Sequence, residues 1–419
     1  MQNKMTNLPQ GWEVKKLEEI ANIKGGKRLP KGENLLDNNT KFAYIRVADF
    51  QDNGTINLQN IKFINENTYN VLKNYKIYDD NLYISIAGTI GKSGIIPKEL
   101  NGAILTENAV KLEYIQNNIS NKFMYFFTLS NIFKTQIQTS TKIVAQPKLA
   151  ITRLKQIQIP LPPLKEQERI VGILDESFAK IDENIKILEQ DLLNLDELMQ
   201  SALQKAFNPL KDNAKENYKL PQGWEWKSLG EICFITDGTH KTPNYIETGI
   251  PFLSVKNISK GFFDLSDVKY ISVEEHNKLT KRAKPEFGDI LICRIGTLGK
   301  AIKVYLEFEF SIFVSLGLLK PKISIISDYL VYFLNSHFIE IWINNNKIGG
   351  GTHTAKLNLN VLEKCPIAIP PLEEQKQIAS YLDELSLNIK NLKQNYQAQI
   401  KDLQELKQSL LDKAFKGEL

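Results

Sequence analysis

This 419-residue chain is poor in the residues and runs that mark metal-binding, disulfide-linked or membrane proteins. Its three cysteines, Cys233, Cys293 and Cys365, are too scattered for a disulfide framework or a metal site. Its four histidines lack the helical or cysteine-paired spacing of a zinc site. No apolar run is long enough to span a membrane, and the segment MQNKMTNLPQGW lacks an apolar signal region. We therefore expect a cytoplasmic protein with no metal site of its own.

Catalytic motifs are also missing or incomplete. The segment GTIGKS at residues 88–93 has two residues between its first glycine and the Gly-Lys pair, whereas a phosphate-binding loop needs four. A strand-to-turn connection is the better interpretation. The sequence contains no glycine-rich cofactor loop. It also contains no nucleophile, base and orienting group at a spacing that would place them together. The sequence therefore predicts a non-catalytic chain that carries no cofactor.

What the chain does contain is a repeat. The stretch from Pro162 to Phe207 recurs 208 residues later, from Pro370 to Phe415. In each copy two prolines at the start are followed by no further proline, which predicts one long helix. Apolar residues alternate spacings of four and three from Leu174 to Ala202, and a less regular stripe includes Leu385, Ile389, Leu392, Tyr396, Ile400, Leu403, Leu406 and Leu410. We predict that the two helices pair as an antiparallel intramolecular coiled coil.

The segments before the two helices repeat as well. LPQGWE at residues 8–13 recurs at 220–225, and NLYISIAGTIGK at 81–92 corresponds to DILICRIGTLGK at 289–300. Runs rich in β-branched and aromatic residues predict strands at 42–48, 81–87, 250–256 and 289–295. Apolar residues at helical spacing occupy 120–138 and 327–346. The predicted fold is mixed α/β: a domain at 8–160, a helix at 163–207, a polar linker at 208–219, a domain at 220–369 and a helix at 371–415. This order makes the chain an internal duplication with a pseudo-twofold axis.

Charge separates the helices from the domains. The chain has a net charge of +5, but the first long helix holds five basic and ten acidic residues, and the second holds six and seven. The rest of the chain therefore carries +11. We expect the domains, and not the helices, to approach a polyanion such as DNA.

Basic and polar residues in corresponding loops are the candidate DNA contacts, because these side chains hold phosphates and read base edges. One loop in each domain, KGGKRLPKG or DGTHKTP, supplies the first group, strand ends near the repeated turns supply the second, and the segments 140–149 and 349–358 supply the third. These groups are Lys24, Lys27, Arg28, Lys31, His240, Lys241 and Thr242; Arg46, Lys92, Arg294 and Lys300; and Gln146, Lys148, Thr352, His353 and Lys356.

The chain resembles the specificity subunits of type I restriction-modification systems, the HsdS family. The resemblance lies in the LPxGW segment that opens each domain, in the starts PLPPLKEQ and IPPLEEQ of the helices and in the KAF that ends both. It implies two target recognition domains, each of which reads one half of a bipartite, asymmetric DNA site. Independently of the resemblance, two similar domains on one rigid spacer should meet the same face of the DNA about one helical turn apart, roughly 34–36 Å.

The resemblance further implies that the helices act as conserved spacers. They would carry two methyltransferase subunits, to which restriction subunits attach, and S-adenosylmethionine, ATP and magnesium would belong to those partners. We assign the methyltransferase contacts to the polar first turns of the helices, at Glu166, Gln167, Arg169, Glu374, Gln375 and Lys376.

Three other interpretations remain open on the residues alone. A stand-alone DNA-binding regulator would have the same basic domains but need no partner-binding surface. An enzyme with unrecognisable motifs would modify DNA without partners. A coiled-coil adaptor for proteins would not need the positive charge on the domains.

Overall fold

The computed structural model describes residues 8–38, 40–141, 148–207, 220–349 and 355–419, so the expected linker at 208–219 lies outside the described residues. The chain divides into two units, one of residues 1–188 and 397–419 and the other of residues 189–396. Each unit therefore contains one globular domain together with part of each long helix.

The first domain is built on small sheets that helices cover. Its strands are β1 (Glu13–Lys16), β2 (Ala21–Gly25), β3 (Ala43–Ile45), β4 (Lys62–Phe63), β5 (Lys76–Ile77), β6 (Leu82–Ser85), β7 (Ser93–Ile95), β8 (Ala103–Leu105), β9 (Ala109–Tyr114) and β10 (Gln158–Leu161). Its helices are α1 (Leu17–Ile20), α2 (Glu66–Val71), α3 (Asn121–Leu129), α4 (Asn131–Thr141) and α5 (Ile151–Lys155), with 3-10 turns at Val47–Asp49, Leu58–Asn60, Lys73–Tyr75 and Lys98–Leu100, and α6 (Leu164–Ala206) follows.

The second domain repeats this plan. Its strands are β11 (Glu225–Ser228), β12 (Cys233–Asp237), β13 (Ile250–Leu253), β14 (Lys269–Ile271), β15 (Ile290–Cys293), β16 (Ala301–Lys303), β17 (Ser311–Ile312), β18 (Leu316–Pro321) and β19 (Pro366–Ile369). Its helices are α7 (Leu229–Ile232), α8 (Val255–Ile258), α9 (Val273–Leu279), α10 (Ser327–Leu334), α11 (His337–Asn346) and α12 (Leu359–Leu362), and α13 (Leu372–Ala414) ends the fold.

An antiparallel four-stranded sheet is central to each domain, in the order β2-β9-β6-β7 in the first and β12-β18-β15-β16 in the second. A second sheet contains one parallel pair, β3 with β8 or β13 with β17. The opening strand of each domain pairs with its closing strand, so Glu13 faces Leu161 and Glu225 faces Ile369. These observations confirm the mixed α/β class and the duplication.

The strand pairing explains why the LPxGW segment accompanies the proline start of each long helix. Gly11 and Gly223 adopt the left-handed φ values of 86° and 85°, which glycine tolerates best. An added Cβ at Gly223 would lie only 3.2 Å from Pro371, and one at Gly11 would lie 3.7 Å from Pro163. The two repeated motifs therefore contact each other and fix the helix start against its domain.

The two long helices pair antiparallel within each unit. Lys407 of α13 bonds to Asp182 of α6 at 2.6 Å in the first unit, and Lys393 pairs with Asp196 in the second. The steps from 407 to 393 and from 182 to 196 have equal length and opposite direction, as antiparallel helices require. The expected antiparallel pair is therefore confirmed.

The prediction of a buried apolar stripe along α13 is wrong at two positions. Leu392 and Leu406 are 39% and 47% exposed, and the neighbouring Lys393 and Lys407 turn toward α6 instead. The alkyl chain of Lys407 also brings its ammonium to 4.8 Å from the centroid of the Phe178 ring. Long cationic side chains can cover apolar surface while they keep their charge in water, so the seam accepts them.

Each long helix completes the core of two domains. Near its start, α6 adds Ile170 and Leu174 to the core of the first domain, and near its end it adds Ala202 and Leu203 to the core of the second. In the same way α13 adds its early residues, such as Leu382, to the second domain and its last residues to the first. The repeated KAF ends therefore contribute to the cores, which the sequence pattern did not indicate.

Other expectations differ in detail. The helical stretch 120–138 is two helices, because Ser130 interrupts it with an extended backbone, and Asn335 and Ser336 divide 327–346 in the same way.

The three cysteines are free and buried, and burial raises the pKa of each thiol to about 12, so they are protonated at neutral pH. No helix in the described ranges combines the length and apolar character needed to cross a membrane.

We expect Gln375→Ala to lower the free energy of unfolding by about 1–3 kcal/mol, because it leaves buried polar groups without partners. Gln375 is 2% exposed, accepts a hydrogen bond from the Ile326 N–H at 3.0 Å and donates one to the Pro370 carbonyl at 2.9 Å. Urea unfolding measures the change, with Gln399→Ala on an exposed position of the same helix as the control. Equal effects of both changes would contradict the assigned role of Gln375.

Candidate nucleic-acid interface

The candidate loops of the second domain meet at Asp237, the last residue of β12. The residue is 1% exposed, and its carboxylate accepts hydrogen bonds from Arg294 Nη1 at 2.7 Å and from Arg282 Nη2. A ring nitrogen of His240 lies 3.1 Å from the same carboxylate. One buried negative charge thus gathers three basic side chains from separate segments.

Arg294 has its guanidinium inside the domain. The residue is 7% exposed, and besides Asp237 it donates to the Val314 carbonyl at 2.9 Å and the Leu357 carbonyl at 3.2 Å. Burial lowers the pKa of Arg294 and the charge of Asp237 opposes that shift. The buried Arg294 guanidinium therefore positions the surrounding loops, and Arg294 is not retained as a DNA contact.

An open depression lies beside this cluster. It has a volume of about 370 Å³ and is lined by Thr239, His240, Lys241, Lys278, Leu279 and Arg282. Lys278 and Arg282 come from α9 and the turn after it. The sequence analysis missed both, because only the fold brings α9 next to the loop of His240 and Lys241. Thr242 is exposed in that loop.

The corresponding loop of the first domain follows β2. Arg28 is 80% exposed, and its Nε donates to Glu107 at 2.7 Å. Burial would raise the pKa of Glu107, but hydrogen bonds from Arg28, its own backbone and Thr106 lower it overall. Glu107 is therefore ionised at neutral pH and can hold the Arg28 side chain outward.

Close backbone contact holds both loops at the sheet end. Gly26 donates to the Ala109 carbonyl at 2.9 Å, and an added Cβ there would lie 2.1 Å from the Thr106 carbonyl oxygen. At Gly238 an added Cβ would lie 2.0 Å from the Ile312 carbonyl oxygen. Only glycine fits such an approach, so the glycines of KGGK and DGT fix where the basic side chains begin.

The other candidate DNA contacts of the first domain differ in whether their charges are already paired within the protein. Lys24 pairs with Glu113 at 2.5 Å and Lys92 with the exposed Asp52 at 2.7 Å. Arg46 forms a two-point contact with Asp49 and donates to the Asn60 carbonyl at 3.1 Å, so its donors serve the 3-10 turn that follows. Lys27 and Lys31 lie in the loop with Arg28, and Lys31 is exposed.

The third loop group also corresponds in the two domains. Lys148 pairs with Ala87 and Lys356 with Ile295 in equivalent isolated bridges, each beside a repeated GTxGK turn. Lys300 ends the second of these turns, before β16. Gln146, Thr352 and His353 lie outside the described residues.

The candidate partner contacts on the long helices fall into two classes. Gln167 is 1% exposed and accepts from the Ser120 N–H at 2.9 Å, and Gln375 is buried in the same way, so neither amide is open to another protein. Arg169 pairs with Glu166 at 2.7 Å and remains 46% exposed. Likewise, Lys376 is 54% exposed beside Glu373, whereas Glu374 accepts from the Trp224 indole at 3.1 Å.

A family model for the type I restriction modification DNA specificity domain matches the chain twice, at residues 9–190 and 221–402. The chain belongs to this family. Each match begins within an LPxGW segment and extends into the following long helix, so the family unit joins a domain to its helix.

Two curated relatives align with most or all of this chain. The EcoBI specificity subunit of Escherichia coli is 25% identical over 100% of this chain and 88% of its own length. The putative MjaX specificity subunit of Methanocaldococcus jannaschii is 25% identical over 90% of this chain and 87% of its own.

Two solved structures share the fold. A chain from a study of complex assembly and conformational transition of the type I R-M system has a TM-score of 0.78 and 22% identity over 99% of this chain and 100% of that one. The HsdS subunit from Thermoanaerobacter tengcongensis has a TM-score of 0.62 and 24% identity over 100% of both chains. The two specificity domains cover both globular domains, and no catalytic domain is evident in the part of the chain that the structure describes.

Proposed function

We propose that this chain is the DNA-recognition subunit of a type I restriction-modification complex. Each domain reads one half of a bipartite, asymmetric site, and the chain itself performs no catalysis. S-adenosylmethionine, ATP and magnesium belong to partner subunits, and the complex acts on DNA in the cytoplasm. The observation that carries this proposal is the repeated collection of basic loops at one end of each central sheet, in a chain whose charge outside the helices is +11.

The difference between the two loop clusters supports an asymmetric site. In the first domain Glu107 anchors the exposed Arg28, whereas in the second Asp237 anchors Arg282 and the buried Arg294. Different side chains on the same scaffold present different donors to the DNA, so the two half-sites differ in sequence.

The long helices set the distance between the half-sites and carry two methyltransferase subunits, through which restriction subunits join. Each helix has 43 residues, or about 65 Å at 1.5 Å per residue. Four apolar residues are exposed on these helices and are candidate contacts for a protein partner: Ile187, Leu193, Leu198 and Leu387. We retain Glu166, Arg169, Glu374 and Lys376 as partner contacts, because they lie at the polar helix starts.

Methylation mapping of genomic DNA tests this function. The chain is expressed with a methyltransferase of the same system and compared with that methyltransferase alone. A split, asymmetric methylated motif that requires the chain is the expected result. If methylation is unchanged and the purified chain still binds DNA sequence-specifically, the chain is a stand-alone regulator and the proposal is wrong.

We expect Arg28→Ala to weaken recognition of the first half-site, because it removes an exposed cation that Glu107 orients. Methylated sites from the variant should tolerate more sequences in the first half and keep the second half unchanged. Lys15→Ala removes an equal charge from β1 and is the control. Equal relaxation in both halves would contradict the division of labour between the domains.

A further inference from the structure

Arg282 occupies an unusual position in the second domain. It follows α9, its side chain is 55% exposed, and it lines the depression with Lys241 and Lys278. Asp237, directly behind it, is 1% exposed. The guanidinium is therefore held at the surface by a group that solvent does not reach.

The hydrogen bonds of Arg282 use one edge of its guanidinium. Nε donates to the Asp237 carbonyl oxygen at 3.2 Å and Nη2 donates to the Asp237 carboxylate. The other edge consists of Nη1 and the second N–H of Nη2. Nη2 also has a long contact of 3.5 Å with a His240 ring nitrogen, and among the described residues none accepts from Nη1. Nη1 is therefore open to a ligand, and the 3.5 Å contact of Nη2 is long enough to yield to a shorter bond, so the two roughly parallel donors can bind one ligand.

Pairs of acceptors that match this edge occur on guanine, at O6 and N7 in the major groove, and on phosphates. The carboxylate behind Arg282 distinguishes them. A phosphate contact depends mainly on charge, whereas a base contact depends on the direction of the donors, which Asp237 fixes. Lys241 and Lys278 form no ion pair with any described residue, so their ammonium groups can contact phosphates.

We infer that Arg282 is the residue through which the second domain selects a G·C base pair. Asp237 positions Arg282, and Lys278 contacts the phosphate backbone of the DNA. This inference rests on the proposed function, since it specifies what one of the two domains reads. It assigns base recognition to a residue outside the loops that the sequence pattern marks.

The test maps methylated sites for the full chain with a methyltransferase of its own system. The wild type, Arg282→Ala, Arg282→Lys and Lys278→Ala are compared. The wild-type second half-site should contain a G·C pair. Both Arg282 variants should lose discrimination at that one position by about ten- to a hundred-fold and keep the first half unchanged. Arg282→Lys is decisive because it keeps the charge and loses the fork. Lys278→Ala should slow methylation at all sites equally.

Results that contradict the inference differ from the result that contradicts the proposed function. If Arg282→Lys keeps discrimination at every position, Arg282 holds a phosphate and the inference is wrong. A wild-type second half without a G·C pair also overturns it and leaves the proposed function intact. If the wild type yields no bipartite motif, the proposed function is wrong, and the inference is wrong with it. The first half-site, read in the same molecules, reports whether each variant has folded and assembled.

Discussion

Asp237→Ala is expected to lower the free energy of unfolding of the second domain by about 3–5 kcal/mol, because it leaves the buried Arg294 guanidinium without its counter-charge. It should also release Arg282 and His240 from their common anchor. Urea unfolding, followed by hydrogen exchange of residues 225–369, measures the loss. Methylation mapping should show relaxed recognition in the second half-site alone.

The first domain shows how the loss can be reversed. At the positions equivalent to Asp237 and Arg294 it has Gly25 and Ile86, and Ile86 is 3% exposed. The fold therefore accepts an uncharged pair here. Asp237→Ala combined with Arg294→Ile should recover most of the lost stability, since neither charge remains buried. It should not recover recognition, because Arg282 still lacks its anchor. A double variant that is less stable than Asp237→Ala would contradict this account.

Much of the fold could be predicted from the sequence because the chain contains it twice. A motif such as LPxGW or GTxGK is weak alone, but its recurrence at an equivalent place marks a structural unit. The long helices followed from their proline starts and apolar spacing. The failures at Leu392 and Leu406 arose because apolar spacing alone cannot show that Lys393 and Lys407 pack along α6 and pair with its aspartates.

The candidate site was predicted less completely. Loop position and residue type predicted DNA contacts at Arg28, His240 and Lys241, and the structure places these residues at the sheet ends. The same reasoning chose Arg294, whose burial depends on Asp237, a residue 57 positions away. It omitted Arg282 and Lys278, because α9 reads as an ordinary charged helix and approaches the loop only after folding. Burial and proximity depend on tertiary contacts that a single sequence does not display.

The other large effect is expected at the ends of the long helices. Phe415 is 1% exposed and packs on the rings of Phe123 and Phe127 in the first domain, with centroid distances of 5.0 and 5.5 Å. Phe415→Ala should lower stability by about 3–5 kcal/mol, because it removes a buried ring and leaves a cavity. The loss should fall on the first domain, since Phe415 belongs to its core.

Phe207 provides the matched variant, because it directly follows α6 and packs on Phe333 in the second domain with a centroid distance of 5.2 Å. Hydrogen exchange should show lost protection in residues 13–161 for Phe415→Ala and in residues 225–369 for Phe207→Ala. Methylation mapping should show the corresponding half-site relaxed in each case. If either variant affects both domains equally, the long helices transmit the loss between the units, and the two recognition domains are not independent modules.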